Sequence, residues 1–333
     1  MGSIENGARQ AVEKCVKVKK GEMVVIITDQ ETVEIGNAIK QAAKNITSNI
    51  HFFVMENFGK RPLNFPEEIG KILAEADASF YVAQDVKDEG QVFDSPMFKV
   101  VSANKKLRHA HMPGITAEVM RSGMCSDYEE VRRVSRLVYE KVRSASKIRV
   151  TTDKGTDMTA EFSPKLNWKI YDGDVTSEDW FNLPDGEVFT SPALVNGKIV
   201  IDGCLGDYFD KKYGILENTP LTVEIENSRA KKESIHCDNK ALEKEFVEYL
   251  FKTDENSDKV GEFAVGTNIG LTELVGNLLQ DEKFPGVHIA FGSPYPEETG
   301  ADWDSKGHLD GVIKNPTINV DGEIIMREGK FLF

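Results

Sequence analysis

The fold is decided by three short apolar runs near the N-terminus: EMVVIITD (22–29), NIHFFVM (49–55) and ASFYVA (78–83). Each run is rich in β-branched and aromatic residues, which is typical of buried strands. The segments between them, ETVEIGNAIKQAAKN (31–45) and PEEIGKILAEA (66–76), carry apolar residues at the three- and four-residue spacing of amphipathic helices. This alternation of strands and helices predicts an open parallel sheet with right-handed crossovers.

Turn dipeptides dominate the second half of the chain, after a long helical pattern at 126–146. Gly-containing dipeptides between alternating apolar residues favour β-hairpins, and three of them stand out: Lys154-Gly155, Asn196-Gly197 and Asp321-Gly322. One helical pattern, ALEKEFVEYLFK (241–252), interrupts these hairpins. The second half is therefore expected to form an α+β domain rich in antiparallel hairpins.

Together these patterns predict an α/β protein of two domains. Residues 1–147 form the open α/β sheet domain and residues 148–333 form the α+β domain. The first strand is followed by QETVEIG, which is neither a dinucleotide fingerprint nor a phosphate-binding loop. The N-terminal sheet is therefore not expected to hold a standard nucleotide site.

Composition narrows the function further. The chain has 333 residues and a net charge of −14, and both nucleic-acid binding and anionic-membrane binding need a basic face. No run of 18 apolar residues is present, and the N-terminus lacks the pattern of a signal peptide. We therefore expect a cytoplasmic protein without nucleic-acid or membrane partners. The four cysteines are widely separated, which favours reduced, buried or half-buried thiols.

Four of the six histidines can be interpreted without a ligand. His51 lies inside a strand-like run, and His236 precedes a helix and is expected at the surface. His109 and His111 form His-x-His, which on a strand places both rings on one face. That spacing suits either a hydrogen-bonded structural pair or a metal, but no nearby carboxylate completes a ligand set.

Acidic residues in similar strand-like runs accompany the remaining two histidines. His288 lies in the apolar strand-like run GVHIAFG, and His308 and Asp310 share one face of a strand because they are two residues apart. Upstream, Glu187 and Glu262 lie in strand-like runs, where an unpaired charge is expensive to bury. A shared metal ion is the natural partner for all five side chains.

The charges favour two divalent cations over one. Glu187, Glu262 and Asp310 supply three negative charges, so two divalent cations and one bridging hydroxide give a neutral cluster. Such a pair polarises a carbonyl and lowers the pKa of water, which supplies a nucleophile without a serine or cysteine. Tyr295 follows a proline corner after His288, from which its hydroxyl can donate to a developing oxyanion.

Four segments in this order resemble the family of dinuclear metallo-aminopeptidases that includes aminopeptidases T and S, the thermophilic metalloproteases. They are NLPDGEVFTSP (182–192), GEFAVG (261–266), DEKFPGVHIAFGSPY (281–295) and HLD (308–310). The resemblance covers mainly residues 180–315. It implies a two-domain protein, a homodimer, and removal of N-terminal residues from peptides that have a free N-terminus.

The resemblance also implies roles for individual residues. The family's metal-binding residues fall on Glu187, Glu262, His288, His308 and Asp310, and its catalytic tyrosine falls on Tyr295. The cofactors would be two divalent ions, drawn from zinc, cobalt, magnesium and manganese. Hydrolysis would use a metal-bound hydroxide, with one carboxylate bridging the ions. Glu187 is also a candidate for moving the proton to the leaving amine, although the spacing does not show which glutamate does so.

Two other functions fit the same residues. Ring-cleaving dihydroxypyridine dioxygenases resemble these aminopeptidases but hold one iron by two histidines and an aspartate, which here would be His288, His308 and Asp310. In that function Glu187 and Glu262 have no necessary role, so their presence in matching motifs favours the hydrolase. A non-catalytic binding protein would bind no stoichiometric metal and leaves the coincidence of five ligand-type residues unexplained.

Overall fold

The chain forms two compact units in a computed structural model that describes residues 2–176 and 180–333. One unit is Met1–Glu129 with Gly173–Asp185, and the other is Glu130–Asp172 with Gly186–Phe333. The division into domains between residues 147 and 148 stays a prediction, and limited proteolysis is the experiment that tests it.

The strands of the described residues alternate with helices in the first half and follow one another more closely in the second. In chain order they are β1 Val24–Thr28, β2 Ile50–Val54, β3 Ala78–Ala83, β4 Arg108–Pro113, β5 Lys147–Thr151, β6 Asp157–Glu161, β7 Lys169–Tyr171, β8 Trp180–Asn182, β9 Glu187–Thr190, β10 Leu194–Ile201, β11 Leu221–Glu226, β12 Arg229–Ala230, β13 Val260–Gly266, β14 Gly286–Gly292, β15 His308–Ile313, β16 Thr317–Val320, β17 Glu323–Arg327 and β18 Lys330–Phe331.

The α-helices range from one turn to four. In chain order they are α1 Ile4–Arg9, α2 Val33–Lys44, α3 Glu67–Leu73, α4 Ser95–Ala103, α5 Ala117–Arg121, α6 Tyr128–Val142, α7 Gly206–Tyr213, α8 Lys240–Lys252, α9 Leu278–Asp281 and α10 Pro296–Thr299. Among the described residues, no helix has both the length and the apolar character needed to cross a membrane.

The first unit contains the predicted parallel sheet. Its five strands follow the order β2-β1-β3-β4-β8, and every neighbouring pair is parallel. The apolar runs of β1 and β3 are buried along their whole length, as expected for strands covered on both faces. Ile27 and Tyr81 from these strands pack with Ile69 and Phe93 in one apolar cluster. The predicted order of strands and helices is therefore confirmed.

A network of charged side chains occupies the edge of this sheet where β1 and β3 end. Such a point, where the strand order changes direction, is the usual ligand crevice of an open α/β sheet. Here the guanidinium of Arg61 forms ion pairs with Asp29, which follows β1, and with Glu89. Arg61 also donates to the carbonyl oxygen of Gln84, which follows β3. The crevice is therefore filled by the chain's own side chains.

The second unit contains two antiparallel sheets. An eight-stranded sheet follows the order β12-β11-β10-β6-β5-β16-β17-β18, and a five-stranded sheet follows β15-β14-β13-β9-β7. Apolar residues from both sheets join those of α6 and α8 in one core, including Val138, Ile199, Phe246 and Phe291. The rings of Phe246 and Phe291 meet edge to face at 6.0 Å. The α+β character predicted for this half is confirmed.

Two of the three predicted turn dipeptides are confirmed, and one prediction was wrong. Lys154-Gly155 separates β5 from β6, and Asp321-Gly322 separates β16 from β17. Asn196-Gly197 instead lies inside strand β10. Gly197 has φ +122°, and a Cβ there would overlap the carbonyl oxygen of Asp157 on the neighbouring strand. Glycine is needed here because the two strands approach closely. A dipeptide pattern does not distinguish this requirement from that of a turn.

The burial of the four cysteines agrees with the prediction made from the sequence. None of the four forms a disulfide; Cys15, Cys204 and Cys237 are buried, and Cys125 is half-buried, as their separation in sequence predicted.

Candidate metal centre

One face of the five-stranded sheet in the second unit carries all five predicted ligands. The register aligns Glu262 of β13 with Ala290 of β14 and then with Asp310 of β15. His288 is opposite Ala264, two residues after Glu262. Because side chains of a strand alternate between faces, residues two apart share a face. Antiparallel pairing therefore brings together side chains that are widely separated in sequence.

Glu187 and His308 complete this face from two other strands. Glu187 of β9 pairs with Gly266 of β13, and His308 of β15 pairs with Gly292 of β14. At Gly266 a Cβ would overlap the carbonyl oxygen of Phe284. Glycine and alanine at the positions between the ligand-type residues leave room for the larger polar side chains.

The distances describe one connected cluster around two imidazoles. Nε2 of His288 lies 3.2 Å from Oε1 of Glu262, 3.4 Å from Oε2 of Glu187 and 4.0 Å from Oδ1 of Asp310. Nε2 of His308 lies 3.6 Å from Oε2 of Glu262 and 3.4 Å from Oδ2 of Asp310. Glu262 therefore presents one oxygen to each histidine.

A backbone carbonyl fixes the ring of His308. Its Nδ1 lies 2.9 Å from the carbonyl oxygen of Ser293, which can only accept a hydrogen bond. Nδ1 therefore carries the proton in the neutral ring, and Nε2 faces the carboxylates as a lone-pair donor. Orientation of a ligand imidazole by a carbonyl is common at metal sites.

Within the part of the chain that the structure describes, these side chains and that of Glu282 form three groups with the spacing of a metal site. The ligand atoms within each group all lie within 4.8 Å of one another. The groups are Glu187 with Glu262 and His288; Glu262 with His308 and Asp310; and Glu282 with His288 and Asp310. The first two share Glu262, so the arrangement can serve two neighbouring ions through one carboxylate.

The electrostatics of the cluster favour cations. Burial opposes the charged form of His288, but the hydrogen bond to Glu262 and the charge of Glu187 outweigh it and raise the pKa to about 9. Burial likewise opposes the charged form of His308, yet Asp310 raises its pKa to about 10. For Asp310 itself, burial is outweighed by His308, and the pKa falls to about 2. Without a metal, protons on the imidazoles balance the carboxylates, and a metal would replace those protons.

Two charged residues of this cluster were missed by sequence reasoning. Lys283 is buried, and its Nζ lies 2.6 Å from Oε1 of Glu187 and 2.7 Å from Oε1 of Glu282. Burial raises the pKa of Glu282 to about 8, although the charge of Lys283 opposes that rise. Both residues stand in the quoted segment DEKFPGVH between α9 and β14. The available signal was a charged triplet, residues 281–283, two residues before the buried strand β14.

Tyr295, the tyrosine predicted to act in catalysis, lies beside His308. Its ring centroid is 4.4 Å from that of His308 and 6.5 Å from that of Phe189. Tyr295 has φ +50°, a left-handed conformation rare for a bulky residue, at the residue before α10. Burial of its hydroxyl, together with the charge of Glu262, raises its pKa well above 10, although 43% of the residue's surface is exposed. The hydroxyl is therefore protonated and can act as a donor.

The His-x-His pair lies on β4 in the first unit and takes no part in this cluster. Nδ1 of His109 lies 2.7 Å from the hydroxyl of Ser79, and His111 stacks on Tyr81. Burial lowers the pKa of His109 to about 3, so the ring is neutral. Neither ring belongs to a group with metal-site spacing within residues 2–176 and 180–333. The structural interpretation of the pair is therefore the better one, and His236 is exposed as predicted.

A buried set of imidazoles and carboxylates on one sheet face is the donor set of a metalloenzyme. The chain belongs to the thermophilic metalloprotease family M29, whose model matches residues 129–331. It is thus a metal-dependent peptidase, and the family implies a divalent metal. A comparison with curated protein sequences gives no match.

Two solved structures share the fold over nearly the whole chain. Wild-type AmpT from Thermus thermophilus is 18% identical with a TM-score of 0.69, covering 99% of this chain and 99% of that one. The 2,5-dihydroxypyridine dioxygenase from Pseudomonas putida KT2440 is 16% identical with a TM-score of 0.69, covering 98% of this chain and 96% of that one. The α/β class with parallel and antiparallel sheets is therefore confirmed.

Proposed function

We propose that the protein is an aminopeptidase that removes N-terminal residues from peptides at a dinuclear metal site. The observation that supports this function best is the position of Glu262. Its two oxygens face different histidines, and it belongs to two of the three ligand groups. A bridging carboxylate between two divalent ions needs that arrangement, whereas a single-ion site does not.

The donor set fits divalent cations on its chemistry. Carboxylates and imidazoles suit zinc, cobalt and manganese, and carboxylates also suit magnesium. When Glu282 is ionised, the charge of Lys283 offsets it, so the negative charges of Glu187, Glu262 and Asp310 remain to be balanced. Two divalent cations exceed those three charges by one. Glu187, Glu262 and His288 would hold one ion, and Glu262, His308 and Asp310 the other.

The chain's own residues then act around the scissile bond. Divalent ions, when bound, polarise a carbonyl and lower the pKa of water. The hydroxyl of Tyr295 donates a hydrogen bond to the oxyanion that develops on the carbonyl oxygen. Glu187 remains the proposed carrier of the proton to the leaving amine. The ammonium of Lys283 pairs with both Glu187 and Glu282, so it links the two carboxylates. Exopeptidase action would require that carboxylate oxygens of the cluster, beyond those that hold the ions, accept from the α-ammonium of a free N-terminus.

The test of this function compares substrates with free and blocked N-termini. Metal-restored protein should hydrolyse a panel of aminoacyl-p-nitroanilides and leave their N-acetylated counterparts intact. Equal cleavage of both sets would contradict the exopeptidase role. Cleavage of neither set with zinc, cobalt, manganese or magnesium would contradict the proposed function.

The dioxygenase function rests on a subset of the same residues. His288 and His308 both face Asp310, at 4.0 and 3.4 Å, which is the composition of an iron(II) facial triad. The related fold of the dihydroxypyridine dioxygenase is the second observation in its favour. However, Glu187 and Glu262 face the same imidazoles. Oxygen uptake by the iron(II)-loaded protein on 2,5-dihydroxypyridine, without peptidase activity, would establish this function instead.

We further propose that the protein acts as a cytoplasmic homodimer, as the resemblance to the family implies. Light scattering coupled to size exclusion should give a mass of twice 37.1 kDa. A mass of one chain would contradict the dimer.

A further inference from the structure

A buried lysine ammonium inside an acidic metal centre requires an explanation. The side chain of Lys283 is 3% exposed, and its two carboxylate partners are 7% and 14% exposed. Isolated buried ammonium groups are expensive, so an ammonium in such a place is held by its partners. Both partners, Glu187 and Glu282, belong to candidate ligand groups.

The ammonium divides the two oxygens of Glu187 between different tasks. Oε1 accepts from Nζ of Lys283 at 2.6 Å, while Oε2 lies 3.4 Å from Nε2 of His288. Only Oε2 is therefore turned toward the ligand group that Glu187 forms with Glu262 and His288. With Lys283 in place, Glu187 can offer a metal one oxygen and not two.

Hydrogen bonds fix the backbone at Lys283 and just before it. Its N–H donates to the carbonyl oxygen of Gln280, and its carbonyl oxygen accepts from the N–H of Asn268. Just before it, the buried carboxylate of Asp281 accepts from the N–H groups of Val275 and Gly276. Lys283 is thus placed by the fold and not by a flexible loop.

A fixed positive charge beside a cation site weakens binding of the cation. The ammonium contacts a carboxylate of the ligand set directly, so it lies a few ångströms from any ion held there. Pairing with Glu187 and Glu282 offsets much of the repulsion, and a remaining effect on the order of tenfold to a hundredfold in Kd is expected.

We propose that Lys283 is a positioning residue of the metal centre, which restricts Glu187 to a single metal-facing oxygen and weakens the divalent ion bound beside it. This inference rests on the proposed function, because it requires that the cluster binds divalent cations. A purely structural lysine would have the opposite effect when removed: loss of its support would disorder Glu187 and weaken the ion.

The test is a calorimetric titration of the metal-free protein with cobalt chloride. Lys283→Gln keeps a hydrogen-bond donor but removes the charge, and should bind the ion beside Glu187 at least about tenfold more tightly than wild type. Lys283→Arg keeps the charge and should stay within about threefold of wild type. Lys314→Gln is the matched control, since Lys314 also pairs with a glutamate, but its partner Glu217 belongs to no candidate ligand group among the described residues.

The visible spectrum of bound cobalt gives a second readout. Lys283→Met has no donor for Oε1 of Glu187, so release of this oxygen should raise the coordination number of the bound cobalt and lower the intensity of its bands. Equal or weaker binding of cobalt by Lys283→Gln would overturn the proposal, and so would an unchanged cobalt spectrum in Lys283→Met. If the metal-free variant does not fold, Lys283→Met loaded with cobalt should release the ion to a chelator at least about tenfold more slowly than wild type. Faster or equal release would also overturn it.

The same titration distinguishes a failure of the proposed function from a failure of the role proposed for Lys283. Wild-type protein that binds no cobalt, zinc, manganese or magnesium contradicts the proposed function itself. Wild-type protein that binds these ions, with no tightening in Lys283→Gln, contradicts only the role of Lys283.

Discussion

Replacement of Glu262 by glutamine alters the side chain that is shared by the two ligand groups proposed to hold the ions. In the wild type, Oε1 faces His288 and Oε2 faces His308. The amide keeps the size of the side chain but has a single acceptor oxygen and no charge. At most one of the two groups can therefore keep its oxygen ligand from this position.

The size of the effect follows from the spacing. The ligand atoms of each group lie within 4.8 Å of one another, so the lost charge is a few ångströms from either ion. A pair of unit charges about 4 Å apart interacts by about 4 kcal/mol at an effective dielectric constant near 20, and a divalent ion doubles that figure. If half of the doubled value is lost, Kd rises by roughly a thousandfold for at least one ion.

The assay is metal content by mass spectrometry after dialysis, with calorimetric titration of the metal-free protein. Glu262→Gln should keep at most one tightly bound equivalent where wild type keeps two. Glu226→Gln is the control, because Glu226 is an exposed glutamate on β11. Two equivalents with wild-type affinity in Glu262→Gln would refute the reasoning.

Three further substitutions test separate parts of the account. Tyr295→Phe should lower kcat about 10²-fold with metal content unchanged, as loss of one oxyanion donor does, and an unchanged kcat would remove Tyr295 from catalysis. Burial raises the pKa of Asp210 to about 7, above its unfolded value near 3.9, so its native form loses stability as pH rises through that interval. Asp210→Asn should therefore be about 1–3 kcal/mol more stable than wild type in urea unfolding at pH 8, with a smaller difference at pH 5; equal differences at both pH values would contradict this. Gly266→Ala forces a Cβ onto the carbonyl oxygen of Phe284 and should cost about 1–3 kcal/mol of unfolding free energy, whereas Gly90→Ala, where the nearest atom to a Cβ is Oδ2 of Asp94 at 4.0 Å, should be near neutral.

Local patterns were sufficient for most of the fold. The apolar runs that became β1 and β3 are contiguous in sequence, so their burial is visible without tertiary information; the run that became β2 looked equally apolar but is only half-buried. The Asn196-Gly197 prediction failed because close approach of two strands, and not a turn, requires the glycine. That requirement depends on the strand β6 packed beside it, which a local pattern does not contain.

The residues of the candidate site were likewise predicted in part and missed in part. Glu187, Glu262, His288, His308 and Asp310 were predicted from strand-like runs and motif order, and sheet register brings their side chains to one face. Glu282 and Lys283 were missed because they lie before β14, outside the alternation of a strand. Their approach to Glu187 depends on how α9 packs, which the sequence alone does not show.

The most direct test of the account is the activity of the metal-free protein as cobalt is added in measured equivalents. Aminoacyl-p-nitroanilide hydrolysis should rise until two equivalents per chain are bound and then level off, because Glu262 is expected to serve two ions. A plateau at one equivalent, or no hydrolysis at any equivalent of cobalt or zinc, would contradict the dinuclear aminopeptidase.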